Sequence, residues 1–305
     1  MKLNKISSNL IMKKDIRIGT RSSKLALWQA NFVKTFLINN FADINIEIVP
    51  ITTQGDKNQI DSIDSVGGKG VFIKEIEEAL IKKEIDIAVH SYKDVPINIP
   101  EELEIVGTSN REDPRDVLIT LSKSNLYQLV PHSVIGTGSA RRTEQIKGIR
   151  SNIEIKPIRG NVNTRIDKLN SGKYDGIVLA YAGIKRLKLE NYISQAFPVN
   201  ELVPPPLQGF LAIESRSDSD WFKYFQNFSD ETNSIISNYE RRFSKDLNLS
   251  CELPIGFCIQ INDKKILFSY FIKGSKGNIK KHFESHYDEL DSAYNNILSE
   301  IDSII

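Results

Sequence analysis

IRIGTRSS, residues 16–23, is a short apolar strand that runs out into a Gly-Thr-Arg-Ser-Ser turn, and VIGTGS, residues 134–139, repeats the same grammar in the second half of the chain. Each turn feeds a helix. The first carries Leu25, Leu27, Trp28, Phe32, Val33 and Phe36 at roughly helical spacing, and the second opens on Ala140, Arg141 and Arg142. Two more pairs keep the order. Glu47 to Ile51 leads into a polar Gly loop, as Glu154 to Ile158 leads into Arg159, Gly160 and Asn161. A helix is expected from Val71 to Lys83 in the first half, and its counterpart from Val162 to Asn170 in the second. Each half closes on a short apolar run, Asp86 to Val89 and Asp175 to Leu179, as expected of strands buried on both faces. Both halves therefore read β-α-β-α-β. The pattern predicts an α/β protein with two related lobes and parallel-rich sheets, whose polar strand-end loops gather at one cleft.

The remaining chain supplies the connections and a third unit. Residues 186–222 read as a connection in which Val203-Pro204-Pro205-Pro206 is extended and Phe210 to Ile213 re-enters a sheet. After residue 223 the texture changes: a helix over 232–246, short strands over 258–261 and 266–271, and a terminal helix from about 288. The expected division is a flexible arm over 1–14, a first lobe over 15–109 and 203–222, a second lobe over 110–202, and a small C-terminal α+β domain over 223–305. The Gly-rich polar stretch from Gln54 to Gly70 reads as a mobile lid.

Composition narrows the function classes. The chain has 305 residues and a formal net charge of +1, which argues against a general polyanion binder. It has two cysteines, too few for a disulfide framework, and no apolar run near the ~20 residues of a membrane span. The basic start MKLNKISSNLIMKK lacks the apolar core of a secretory signal, so a cytoplasmic setting is expected.

The loops are equipped for anions. Both Gly-Thr-Ser turns point backbone N–H groups and hydroxyls at a helix start, a geometry that suits either plain capping by Ser22, Ser23 or Ser139 or an anion. Arg21, Arg141 and Arg142 at those turns oppose the helix dipole, which suggests an external anion. Arg159 and Arg165 flank the matching second-half loop, and an arginine fork suits carboxylates as well as phosphates. Dispersed arginines fit a ligand with several carboxylates better than a triphosphate, and GxxxxGK[ST] is absent. His90-Ser91-Tyr92-Lys93-Asp94 follows the buried strand of the first half, where an acid or an electrostatic stabiliser would sit over the cleft. Four histidines and two cysteines without CxxC or HExxH spacing give no expectation of a metal site.

The stretches IGTRSSKLALWQA, GGKGVFIKEIEEAL, DIAVHSYKDVP, REDPRD, IGTGSARR, IRGNVNTR, YDGIVLAYAGIKRL and CELPIG, in that order between about Ile16 and Gly256, resemble the porphobilinogen deaminase (hydroxymethylbilane synthase) family. The resemblance implies two lobes like those of periplasmic binding proteins plus a third domain. It implies a transferase that joins four porphobilinogen molecules head to tail, releasing ammonia at each step, and then frees hydroxymethylbilane by hydrolysis. It implies a dipyrromethane cofactor held by a thioether, here to Cys251, and Asp94 as the catalytic carboxylate that serves the aminomethyl group and stabilises the azafulvene cation. Arg21, Lys69, Lys93, Arg141, Arg142, Arg159, Arg165 and Arg186 match positions that bind cofactor or substrate carboxylates, with Ser23, Gln29, Ser91, Thr137, Ser139, Gly160 and Gln208 assisting. A monomer without nucleic-acid or membrane partners is expected.

Departures from the family pattern are Gln54, Ser65, Gly138, the bulkier Pro205-Pro206-Leu207-Gln208-Gly209-Phe210, and Leu249-Ser250 before Cys251. Where a residue replaces Gly, a backbone that needs φ > 0 is strained. Cys258 is expected to be an apolar strand residue. The rival readings are a non-catalytic two-lobe small-anion binding protein, a degenerate deaminase copy and, more weakly, a nucleic-acid binder. The first has no need of a third domain with a cysteine.

Overall fold

The computed structural model describes residues 14–57, 73–248 and 254–304. In chain order the first lobe contributes β1 (Lys14–Arg21), α1 (Lys24–Asn40), β2 (Ile44–Ile51), α2 (Gln54–Lys57), α3 (Lys74–Ile81), β3 (Ile87–Ser91) and β4 (Leu103–Thr108). The second contributes β5 (Asp116–Thr120), β6 (Val134–Gly136), α4 (Ala140–Ile149), β7 (Glu154–Lys156), α5 (Val162–Asn170), β8 (Gly176–Ala180), α6 (Tyr181–Arg186) and β9 (Ile193–Ala196). β10 (Leu211–Arg216), α7 (Phe222–Phe225) and α8 (Glu231–Asp246) precede the strands β11 (Ile255–Asn262), β12 (Lys265–Gly274) and β13 (Gly277–His286) and the last helix α9 (Leu290–Asp302).

The rhyme between the halves is a rhyme in three dimensions. One five-stranded sheet runs β2-β1-β3-β10-β4 and the other β7-β6-β8-β5-β9. In each, the first three strands are parallel, and a fourth is inserted antiparallel to both of its neighbours. Four of the five strands in each sheet thus run the same way, as expected of parallel-rich sheets, and the inserted strand makes each sheet mixed. The antiparallel insert is a strand that enters each sheet where the chain crosses between the two: β5 after the outward crossing and β10 after the return. The run from Phe210 to Ile213 does re-enter a sheet, as β10. β9 falls in the stretch read as a connection, and β4 and β5 in stretches to which the periodicity assigns no element.

α1 shows why these residues make this element. Ser23 caps it, its Oγ accepting from the Ala26 N–H at 3.2 Å. The face turned to the sheet is Ala26, Gln29, Ala30, Val33 and Leu37, which shares only Val33 with the stripe expected from spacing. Two alanines let the helix lie close to the strands. Trp28 and Phe32 stack on each other at 5.5 Å, and Phe36 meets Phe225 and Phe228 of the segment after β10. The helix expected over 71–83 is described over Lys74–Ile81, and residues 71 and 72 lie outside the described residues.

The third unit is an antiparallel meander, β11-β12-β13, with α8 and α9 packed against it. Phe243 of α8 stacks on Phe257 of β11 at 3.8 Å, and Tyr294 of α9 meets the same ring edge-on. The unit is fastened to the rest: the Phe257 N–H donates to the Pro204 carbonyl at 2.9 Å, and Lys273 pairs with Glu144 at 2.5 Å. Cys258 is fully buried in β11, and burial pushes its thiol up to about 12. It is an apolar packing residue, as expected.

Candidate functional site

The site grows from the end of β3. Its apolar run fixes the strand in the middle of the sheet, and Tyr92–Asp94 then turn as a single 3-10 turn. Tyr92 is the buried anchor of that turn, with the Arg241 guanidinium 5.6 Å over its ring and donating to the Val95 carbonyl at 3.1 Å. The anchored turn presents Lys93 and Asp94. On one side of Asp94 is a cleft of about 100 Å³ whose polar wall is Arg21, Ser23, Gln29, His90 and Ser91. There the Gln29 amide donates to Ser91 Oγ at 2.8 Å. On the other side Asp94 faces the second lobe, where it bears electrostatically on Arg165.

The centre of that second side is Asp116, the first residue of β5, which is fully buried. Its Oδ2 accepts from Arg141 at 2.6 Å and its Oδ1 from Arg142 at 2.7 Å. Gln208 bridges: its Nε2 donates to Asp116 Oδ1 at 2.9 Å and its Oε1 accepts from Lys93 at 3.0 Å. Burial opposes ionisation of Asp116, but the two guanidiniums outweigh it and hold the carboxyl well below the usual carboxylate range. Burial, reinforced by Arg141 and Arg142 and opposed by Asp94 and Asp116, lowers the Lys93 ammonium to about 8. Burial and then the nearby Arg142 lower the Arg165 guanidinium to about 10, with Asp94 opposing and Arg159 adding.

Most of the expected residues thus converge. Lys93, Arg141, Arg142 and Arg165 gather around two carboxylates, Asp94 and Asp116, with Arg159 beside Arg165. The helix-start arginines have an internal partner, and this changes the expectation of a purely external anion: Asp116 supplies a negative charge from another strand. It does not fill the site, because Arg142 Nε is buried with no hydrogen-bond partner and the cations remain in excess. The hydroxyls of the second turn are engaged within the turn and its cap. Thr137 Oγ1 accepts from the Ser139 N–H at 3.2 Å, and Ser139 Oγ accepts from the Arg142 N–H at 3.4 Å. Gly160 stands at φ +108, and a Cβ there would lie 2.7 Å from the Thr164 methyl, so the loop that aims Arg165 requires glycine. The Gly160 carbonyl takes Arg165 Nε at 2.8 Å. Arg186 lies apart from the cluster: it donates to the Gly209 carbonyl at 2.6 Å and sits 5.7 Å over the Trp28 ring. Burial lowers it to about 10. Lys69 and Cys251 lie outside the described residues, as do Ser65, Leu249 and Ser250.

Asp116, Arg111, Glu214 and Glu240 were not singled out by sequence. Asp116 ends the quoted motif REDPRD, and Glu214 is a lone acid in an apolar run, so both left a signal. Among the described residues no cluster of His, Cys, Asp and Glu could hold a metal ion, and no helix is long and apolar enough to cross a membrane.

Residues 16–223 match the family model described as porphobilinogen deaminase, dipyromethane cofactor binding domain. The porphobilinogen deaminase of Acetivibrio thermocellus is 43% identical over 87% of this chain and 90% of its own length. That of Caldicellulosiruptor saccharolyticus is 41% identical over 93% of this chain and 98% of its own. Among solved structures, the periplasmic sulfonate-binding protein SsuA from Methylobacillus flagellatus aligns over 79% of this chain and 71% of its own, with 16% identity and a TM-score of 0.40.

Proposed function

The chain belongs to the porphobilinogen deaminase family, and from that premise we propose how its own residues carry the reaction. It is a transferase of porphyrin and haem biosynthesis, hydroxymethylbilane synthase, with a covalent dipyrromethane cofactor. It condenses four porphobilinogen molecules with loss of ammonia and releases hydroxymethylbilane. A non-catalytic anion-binding role is not favoured.

The observation that carries the assignment of roles is the arrangement of charge: Lys93, Arg141 and Arg142 around Asp116, Arg165 with Arg159 beside it near Asp94, and Asp94 on the wall of the cleft. Each porphobilinogen unit brings an acetate and a propionate. Cations in excess of the internal carboxylates, with a buried guanidinium N–H still without a partner, fit a polycarboxylate and so fit the cofactor. When bound, the cofactor supplies the pyrrole terminus from which the chain grows. Lys93, Arg141, Arg142, Arg159 and Arg165 hold its carboxylates. Arg21, Ser23, Gln29 and Ser91 line the facing cleft and take the incoming ring, with Thr137, Ser139, Gly160 and Gln208 holding the cations in place. Asp94 moves protons at the aminomethyl and pyrrole nitrogens and stabilises the cation left when ammonia departs. Lys69 and Arg186 complete the set, and Cys251 carries the thioether.

The domain division into 15–109 with 203–222, 110–202 and 223–305 is part of the proposal. It is supported by the strands of the three sheets, which fall within those bounds from residue 15 on. The protein acts as a cytoplasmic monomer without nucleic-acid or membrane partners. The test has two parts. Intact-protein mass spectrometry shows a covalent increment of two pyrrole units, absent from Cys251→Ser. Asp94→Ala keeps the increment and the fold but loses about 10²–10⁴ in turnover. An unmodified yet fully active protein, or near-normal rates in Asp94→Ala, overturns the assignment.

A further inference from the structure

His90 and Glu214 form a buried titratable pair that carboxylate binding leaves unused. In the antiparallel register Ala212 stands opposite His90 and Glu214 opposite Ala88. The two side chains are therefore diagonal neighbours on one face of the sheet. His90 Nε2 lies 3.1 Å from Glu214 Oε2, with the histidine 5% exposed and the glutamate 0%. α3 packs on β3 and β10 and brings Glu77 to the same place, where it senses both Glu214 and His90. Arg241 of α8 also bears electrostatically on Glu214, although its guanidinium bonds go to the carbonyls of Val95, Pro96 and Ile97.

Packing does not account for this cluster. A buried ion pair adds little over an apolar pair of the same volume. Here one oxygen each of Glu214 and Glu77 is buried with no hydrogen-bond partner, which ordinarily calls for a reason. The His90 ring meets the buried acids, and the residue stands at the strand end that lines the cleft Asp94 shares.

We propose that His90 is a positioning residue for the condensation, with Glu214 accepting its Nε2–H so that Nδ1 is a fixed acceptor, and that His90, Glu214 and Glu77 together hold one exchangeable proton behind Asp94. The inference rests on the deaminase reading. In each condensation a C–C bond forms at the acceptor ring carbon and the C–N bond of the aminomethyl group breaks. Nitrogen leaves with the bonding pair as ammonia, and the acceptor carbon gives up a proton. Holding the ring in one tautomer leaves Nδ1 as a fixed hydrogen-bond acceptor beside the cleft in which Asp94 exchanges protons. Burial pushes the Glu77 carboxyl up to about 7, with Glu214 adding and His90 opposing, so Glu77 gains or loses its proton near neutral pH.

The experiment uses the full-length, cofactor-loaded enzyme, with loading read by intact mass and the fold by thermal melt. Parent turnover is measured first: a loaded parent that makes no hydroxymethylbilane overturns the deaminase reading itself. With an active parent, Glu214→Gln lowers kcat by about tenfold or more with KM within about twofold. Glu77→Gln displaces the limb of the pH–kcat profile near neutrality. Nitrogen-15 shifts of the His90 ring report the Nε2–H tautomer in the parent and its loss in Glu214→Gln. Variant profiles that superimpose on the parent's with kcat within twofold, or an Nδ1–H tautomer in the active parent, overturn the proposal. Should Glu214→Gln fail to fold, Glu77→Gln and the parent's tautomer decide it.

Discussion

Asp116 has one negative charge and is shared by two guanidiniums, which makes it the residue on which the second lobe's half of the site depends. Arg141 also donates to the Val203 carbonyl and Arg142 to that of Val178, at 2.5 and 2.9 Å, so neither can swing out to solvent. Asp116→Asn leaves both cations buried without a counter-charge and is expected to cost about 3–5 kcal/mol, read as a fall in the denaturation midpoint. The sign with pH follows from the depressed carboxyl. Its stabilisation is present above the ordinary aspartate range and is lost as pH falls through the folded value, so the Asn variant loses that part of the acid dependence. Lys93 gives the alkaline counterpart. In the protein without an anionic ligand its ammonium deprotonates at about 8, so carboxylate affinity falls above that pH. Lys93→Arg carries binding to higher pH, checked by titrating porphobilinogen onto cofactor-free protein. The cations were legible in the sequence as a set. Their partner was not, because Asp116 comes from a different strand and residue spacing does not show which strands end beside which helix.

At the scale of elements, the return crossing from the second lobe departs furthest from the family pattern, and the structure shows what the departure costs. Leu207 stands at φ +66, a left-handed conformation that a side chain resists, yet it is 2% exposed and packed with Phe210 and Phe257. Two effects compete. Strain costs about 1–2 kcal/mol, whereas deleting a buried leucine costs about 2–5 kcal/mol. Leu207→Gly is therefore expected to be destabilising on balance, in chemical denaturation. A more stable glycine variant would show that strain dominates. Gly209 is the opposite case: at φ +100, with a Cβ meeting the Glu112 carbonyl at 2.2 Å, it has no room for alanine. Gly209→Ala combines strain with a backbone clash and is expected to cost more than about 1–3 kcal/mol. The sequence identified this segment as extended and unusually bulky. It could not show which residue takes the positive φ, because that depends on the Leu207 N–H being held by Glu240 at 2.5 Å. β4, β5 and β9 escaped notice for a similar reason: they lie outside the repeated β-α-β-α-β order, and long-range pairing rather than local pattern makes them strands.

Across the whole molecule, Glu240 ties the three sheets together. Fully buried on α8, it accepts from Arg111 Nη1 at 2.8 Å and Nη2 at 3.2 Å, from the Leu207 N–H, and from the Ile259 N–H of β11 at 2.9 Å. Those partners belong to the outward crossing, the return crossing and the third unit. Arg111 continues the chain of contacts, its Nε donating to the Gln208 carbonyl at 2.9 Å, and Gln208 reaches Asp116 and Lys93 in the site. The two-lobe plan was readable because the same strand-turn-helix grammar occurs twice. This linkage was not, since Glu240 and Arg111, which carry it, look in sequence like ordinary surface charges. Glu240→Gln keeps the shape, loses the charge opposite Arg111 and leaves one oxygen to serve donors that now use two. It is expected to cost about 3–5 kcal/mol. Hydrogen exchange should rise at 203–210 and 255–260 and stay unchanged in β1 and β3. Because Arg111 and Gln208 connect the two buried carboxylates, the double variant Asp116→Asn with Glu240→Gln is expected to be non-additive by about 0.5–3 kcal/mol. Strict additivity in denaturation would mean that the anion site and the third domain are held independently, and that the contact chain through Gln208 carries no energy between them.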